Sequence, residues 1–234
     1  NSNTIQIVNR YTFKKINQIT ENLNQPRAIA FANEKIYVTN ANSKTVTVYN
    51  ASNYAFVKSI DLNFQPEKLV ATTNYVYVQT SNYAAGNAVE IINTATDLNT
   101  SDLNFSSAMN GVTLDKSTNS IYVIGSDANK TEISKIVNTE ISKTITNSAI
   151  INSRFLTFDN NQLYFTSGTG IYTISPDLTN FPETSMFNVS DNSWSTLYGF
   201  DVINGKVYSS DANGFTQNSI ITIYNLSGSV LKTF

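Results

Sequence analysis

Two short runs of β-branched and aromatic residues, separated by a small polar loop, make up KIYVTNANSKTVTVYN, Lys35 to Asn50. This alternation reads as a β-hairpin. Weaker copies return along the chain. Aligned on one tyrosine they are KIYVTN at Tyr37, YVYVQT at Tyr77, SIYVIG at Tyr122, QLYFTS at Tyr164 and KVYSSD at Tyr208, spaced 40, 45, 42 and 44 residues apart. Before each anchor lies a short apolar strand: RAIAF, KLVAT, GVTL, RFLTF and YGFDV. After each comes a polar loop and a third strand, TVTVYN, AVEIIN, ISKIVN, GIYTIS or IITIYN, four of the five closing on Asn. A more polar fourth strand follows, as in FVKSIDL, ISKTIT and SVLKTF.

Four strands at a fixed period near 40 to 45 residues are the signature of an all-β propeller, whose four-stranded antiparallel blades cannot bury their faces alone. The expected organisation is a single domain over residues 1–234, with a half blade at 1–25 and blades at about 26–66, 67–108, 109–152, 153–196 and 197–234. NTIQIVN and TFKKINQI match a third and a fourth strand with nothing upstream to supply the first two. Six blades are the economical count, seven if a whole blade lies outside. The closing strands are then expected beyond Asn1 or Phe234, on a natural polypeptide longer than these 234 residues.

The segment PRAIAFANEKIYVTNANSKTVTVYN, Pro26 to Asn50, resembles a unit of the YVTN β-propeller repeat family, and Tyr37-Val38-Thr39-Asn40 is the string that names it. Later units drift to YVQT, YVIG, YFTS and YSSD. The motif speaks to blade packing more than to activity. The chain also resembles surface-exposed propeller lipoproteins of Gram-negative bacteria. That resemblance implies the outer face of the outer membrane, or the periplasm, as the location, a corrinoid as the ligand, and a TonB-dependent outer-membrane transporter or other envelope protein as the partner. No lipobox cysteine is visible.

Composition narrows the chemistry. A chain of 234 residues buries roughly 70% of its unfolded surface, so its core needs no staples. There is no cysteine and no histidine, which removes catalytic triads, thiol nucleophiles, imidazole acid–base chemistry and the usual zinc sites. Net charge is −2 and only 14% of residues are charged, with no basic block, so nucleic acid is a poor partner. No apolar run approaches the roughly 18 residues of a membrane helix. The 33 asparagines suit a protein of turns and strands, because Asn tolerates left-handed backbone and caps turns.

The expected function is therefore non-enzymatic binding without a cofactor, on the loop face formed by fourth-to-first and second-to-third strand connections. A structural or protein-interaction subunit of an envelope or secretion complex is the alternative. The candidate ligand-binding residues are Arg27, Tyr83, Arg154, Trp194, Tyr198 and Phe215, large side chains that turn chemistry does not require. Trp194 is either an exposed anchor or a plug between blades; Tyr83 and Phe215 are either contact area or loop packing. Arg27 and Arg154, two of three arginines, stand at the same place in two inner strands. They form either a fork for a carboxylate, phosphate or amide edge, or ion pairs with Glu67 and Asp159. The identical SDAN loops at 126–129 and 210–213 read as Asx-turns rather than calcium sites, since neither has the spaced carboxylates that calcium needs. No catalytic or metal residue is assigned.

Overall fold

The structure, a computed structural model, describes residues 3–80, 86–190 and 195–234. The chain groups into two compact units, residues 1–105 and 106–234. The first contains a two-stranded sheet, β1 (Ile5–Val8) and β2 (Lys15–Ile19), and two four-stranded sheets. These are β3 (Pro26–Ala32), β4 (Lys35–Asn40), β5 (Thr45–Asn50) and β6 (Phe56–Asp61), then β7 (Pro66–Ala71), β8 (Tyr75–Thr80), β9 (Ala88–Asn93) and β10 (Leu98–Asn104). The second contains three more. They are β11 (Met109–Asp115), β12 (Ser120–Ser126), β13 (Thr131–Val137) and β14 (Glu140–Asn147); β15 (Ser153–Asp159), β16 (Gln162–Ser167), β17 (Gly170–Ile174) and β18 (Phe187–Asn188); and β19 (Gly199–Ile203), β20 (Lys206–Asp211), β21 (Ile220–Asn225) and β22 (Val230–Thr233). Within every sheet each strand pairs antiparallel with its sequence neighbour.

Burial follows strand rank. The second strands β4, β8 and β12 are buried almost throughout, as are the third strands β5 and β9, whereas the fourth strands β6 and β14 are mostly exposed and β10 has no buried residue. This is why the middle strands read as continuous apolar runs and the fourth as polar ones. The third-to-fourth turn explains the recurring Asn. Asn9, Asn50 and Asn93 each accept backbone N–H bonds from residues two and three further on. The residue four on, Phe13, Tyr54 or Asp97, then takes a positive φ and donates its N–H back to the Asn carbonyl. The side chain thereby satisfies turn amides that no strand partner reaches.

Each buried tyrosine poses a further demand, because its hydroxyl must find a partner inside the protein. Tyr37 is fully buried and donates at 2.7 Å to Asp97, in the β9–β10 turn of the adjoining sheet. Lys35 reaches the other Asp97 oxygen at 2.6 Å, and Lys58 donates to the Asp97 carbonyl at 2.9 Å. The second unit repeats the arrangement: Tyr122 donates to the Pro176 carbonyl at 3.1 Å and Lys143 to the Asp177 carbonyl at 2.7 Å. Lys58 and Lys143 occupy the same register, since Tyr37 faces Val48 and then Lys58, while Tyr122 faces Lys135 and then Lys143. Burial pushes the phenols of Tyr49 and Tyr77 up to about 12, and that of Tyr37 higher still with Asp97 beside it.

Linkers between sheets are held by carboxylates. Glu90, fully buried on β9, accepts the N–H groups of Asn63 and Phe64 at 2.9 Å each and the Asn99 amide at 2.6 Å. Glu132 on β13 likewise accepts from Ser106. Burial holds the Glu90 carboxyl above its ordinary value, against the opposing pull of those amides.

Tyr37→Phe strips Asp97 of a buried donor and is expected to cost about 1–3 kcal/mol. The same change at Tyr11, 75% exposed, should stay within about 0.5 kcal/mol. Urea midpoints of the two variants check this, and equal values would refute the clasp. For Glu90 the folded protein binds a proton more tightly than the unfolded chain, so its contribution to stability falls as pH rises from about 4.5 through the raised folded value and then levels. The stability difference between the protein and Glu90→Gln should therefore change over that window, and a difference independent of pH would contradict the assignment.

Candidate functional site

Register defines one equivalent position in each four-stranded sheet. The anchors Tyr37, Tyr77, Tyr122, Tyr164 and Tyr208 face Ala30, Val70, Thr113, Thr157 and Asp201 on the first strands. Three residues before these partners stand Arg27, Glu67, Asn110, Arg154 and Tyr198. In four of the five sheets the register slips beside this position, so an irregularity starts the first strand and re-aims its side chains. Three of the sequence candidates thus share one structural position, and Glu67 and Asn110 belong to the same set. Counting back from the anchor would have found both.

In the first unit Arg27 is committed to Glu67. Its Nε lies 3.0 and 3.1 Å from the two carboxylate oxygens and its Nη2 also bonds Glu67. This is the ion-pair alternative of the two readings for Arg27. It stands at the surface, where such a pair adds little to stability and rather fixes where the two groups point. Tyr83 lies outside the described residues.

In the second unit Arg154 does not form the ion pair with Asp159. The Asp159 carboxylate is filled by the N–H groups of Asn204 and Gly205 at 2.9 and 2.8 Å and by the Asn160 amide. Arg154 instead lays its guanidinium 5.0 Å from the centre of the Phe155 ring, a cation–π contact. Phe155 in turn lies 6.2 Å from Phe200. Tyr198 and Phe215, 53% and 57% exposed, meet edge to face at 5.0 Å and 88°. Neither Phe155 nor Phe200 is among the sequence candidates; both lie in the short apolar strands RFLTF and YGFDV. Trp194 lies outside the described residues.

Two of these aromatics sit on unfavourable backbone. Phe155 has φ +56° and Phe215 φ +59°, and Phe215 ends a run of three left-handed residues, Asn213, Gly214 and Phe215. A bulky L-residue in this region is strained, and such strain persists only where the surroundings hold it. The two SDAN loops provide an internal comparison. Asp127 accepts the N–H groups of Asn129 and Lys130, and Asp211 that of Asn213, so both are Asx-turns. Those amides hold the Asp127 carboxyl below its ordinary value. The first loop enters β13 at Thr131, whereas the second runs on to Ile220 before β21 begins. The added residues carry the 3₁₀ turn Asn213–Phe215 and its protruding ring.

At the foot of this longer loop lies a cavity of about 210 Å³ lined by Thr196, Ser209, Asp211, Ile220, Thr222 and Tyr224, among others. That is below the roughly 300 Å³ at which ligand pockets begin. A cavity of about 560 Å³ lies in the first unit, lined by Ile19, Glu21, Tyr49, Tyr54 and Phe56 among others. Among the described residues no group of three or more acidic side chains is placed to hold a metal ion, and no helix is long and apolar enough to cross a membrane.

The class of protein follows from these sheets together with known structures. The chain has a β-propeller fold. It superposes on hydrazine synthase from Kuenenia stuttgartiensis with a TM-score of 0.67 at 14% identity, covering 95% of this chain and 70% of that one. With the Swd1 β-propeller domain of Myceliophteria thermophila the TM-score is 0.71 at 10% identity, over 99% and 80% of the two chains. With the Dos1 propeller it is 0.67 at 8% identity, over 99% and 65%. At such identities the likeness establishes the fold alone. Five four-stranded sheets and one two-stranded sheet fit six blades. No family model and no curated protein matches the sequence.

If φ at residue 215 is held positive, Phe215→Gly should be more stable than Phe215→Ala by about 1 kcal/mol, since both lose the ring and only glycine is unstrained there. Chemical denaturation of the two variants measures the difference, and equal stability would show that the loop relaxes freely.

Proposed function

We propose that this chain is a non-enzymatic binding protein whose propeller loop face captures a small molecule or docks a membrane transporter. The observation that carries the reading is the pair Tyr198 and Phe215, exposed large rings that meet where the segment before β19 faces the β20–β21 loop, whose backbone is strained to present Phe215. Arg154, Phe155 and Phe200 add a guanidinium and two further rings in the same unit. Rigid aromatic area beside an arginine is the usual composition of a binding hot spot, and a preformed surface lowers the ordering cost of association. Trp194, Tyr83 and Arg27 complete the proposed set, the last through its pair with Glu67.

The resemblance to the YVTN repeat family and to surface-exposed propeller lipoproteins supports a finer version. In it the ligand is a corrinoid, the partner is a TonB-dependent transporter, and the protein works at the outer face of the outer membrane or in the periplasm of a Gram-negative bacterium. A second reading, a structural or interaction subunit of an envelope or secretion complex, is favoured by one feature. The last sheet leaves Ile220, Ile221, Val230, Leu231 and Phe234 exposed, whereas the third strands β5 and β9 are almost wholly buried.

Cyanocobalamin titrated into the protein should produce a saturable absorbance change. The double variant Trp194→Ala with Phe215→Ala should weaken binding at least roughly 30-fold, the equivalent of about 2 kcal/mol, with an unchanged unfolding midpoint. Affinity untouched by that variant would rule out this face. A native pull-down that yields a stable protein assembly and no corrinoid band would favour the second reading.

A further inference from the structure

The Phe215 loop needs a cause for its conformation, because Phe215, unlike the Asn213 and Gly214 before it, is strained at positive φ. Two side chains beneath it supply one. Ser195, 1% exposed, accepts the Gly214 N–H at its Oγ at 2.8 Å and donates its own hydroxyl to Asp211 Oδ1 at 3.0 Å. Asp211 Oδ1 also accepts the Asn213 N–H at 2.7 Å. The Ser195 carbonyl accepts the Ala212 N–H at 3.2 Å. The loop from Ala212 to Gly214 is thus tied through consecutive amides to a single serine and the aspartate it contacts.

The sheet β11–β14 shows a related pair without an exposed ring. There Ser107 donates to Asp127 at 3.3 Å, and the Ser126 N–H bonds the Ala108 carbonyl. In that sheet the serine meets only the aspartate among the loop's groups; in the last sheet it also holds the amide next to the aromatic residue. The extra bond to Gly214 is the difference between a linker contact and a device that aims a side chain.

We propose that Ser195 and Asp211 are positioning residues that hold Gly214 and Phe215 in the left-handed conformation and so set the Phe215 ring edge-on to Tyr198. Their use in binding rests on the function proposed above; their effect on the ring does not. Phe215 contributes preorganised contact area only while this relay stands, since release of the Gly214 amide lets the backbone return to ordinary φ and carries the ring off Tyr198.

The test is the NMR shift of the Tyr198 ring protons, which the Phe215 ring displaces at a centroid distance of 5.0 Å. Phe215→Ala sets the full size of that displacement. Ser195→Ala and Asp211→Ala are expected to lose at least half of it, Asp211→Asn to retain most of it because the amide oxygen still accepts, and Ser107→Ala to leave it unchanged. A Tyr198 shift that stays at its original value in Asp211→Ala and Ser195→Ala overturns the proposal. If Ser195→Ala fails to fold, the Asp211→Ala and Asp211→Asn pair decides alone. Cyanocobalamin titrations on the same samples separate the two ideas: a lost Tyr198 displacement with full cyanocobalamin binding, or no binding by the unmodified protein, removes the ligand reading and leaves the role of Ser195 and Asp211 standing.

Discussion

A tyrosine buried on both faces of a sheet has one polar atom and must place it. Most of the architecture follows from that constraint. Burying the ring contributes on the order of 2 kcal/mol, but a phenol left without an acceptor would forfeit about as much. Tyr37 and Tyr122 meet the demand by reaching the turn of the adjoining sheet in their own unit, at Asp97 and at the Pro176 carbonyl. A lysine from the fourth strand grips the same turn in both cases. At these two of the five anchors the clasp converts an obligation of one sheet into attachment to the next.

The same reasoning governs the linkers. A segment that leaves a fourth strand and enters a first strand has amides with no strand partner, and burial forbids leaving them unpaired. Glu90 meets two of them directly, at the cost of a carboxyl held in an apolar setting. Glu132 meets Ser106 in the second unit. The pairs of Ser107 with Asp127 and Ser195 with Asp211 extend this scheme from linker to loop. The candidate site is therefore an elaboration of a structural contact that the repeat already contains.

This explains what the sequence could show. The second strands were legible because Tyr at a fixed period marks them, and the third strands because Asn closes a turn whose amides it must cap. Lys58 and Lys143 were not, since the fourth strand is exposed and its composition drifts; only the register reveals that they are equivalent. Glu90 was equally hidden, a single carboxylate inside AVEIIN with no local sign that distant amides need it. At the site, Arg154, Tyr198 and Phe215 stood out as side chains a turn does not require. Phe155 and Phe200 did not, because an aromatic in an apolar strand looks like core until its backbone angle or its neighbour is known. For Arg27 the sequence held both outcomes open, and the structure shows a bidentate pair with Glu67.

Exposed apolar side chains in this protein are of two kinds, and the difference bears on function. Ile221, Val230 and Leu231 stand on extended strands, whose backbone presents them at no conformational cost. Phe215 stands on a turn, at a φ that costs about 1–3 kcal/mol for a residue of its size, in a loop extended beyond the length that closes the matching SDAN turn. A glycine at that position would remove the strain, and a shorter loop would remove the ring. Packing is a poor reason to keep it, because more than half of the ring's residue surface faces solvent. Two buried side chains and a strained backbone together hold one exposed ring against another.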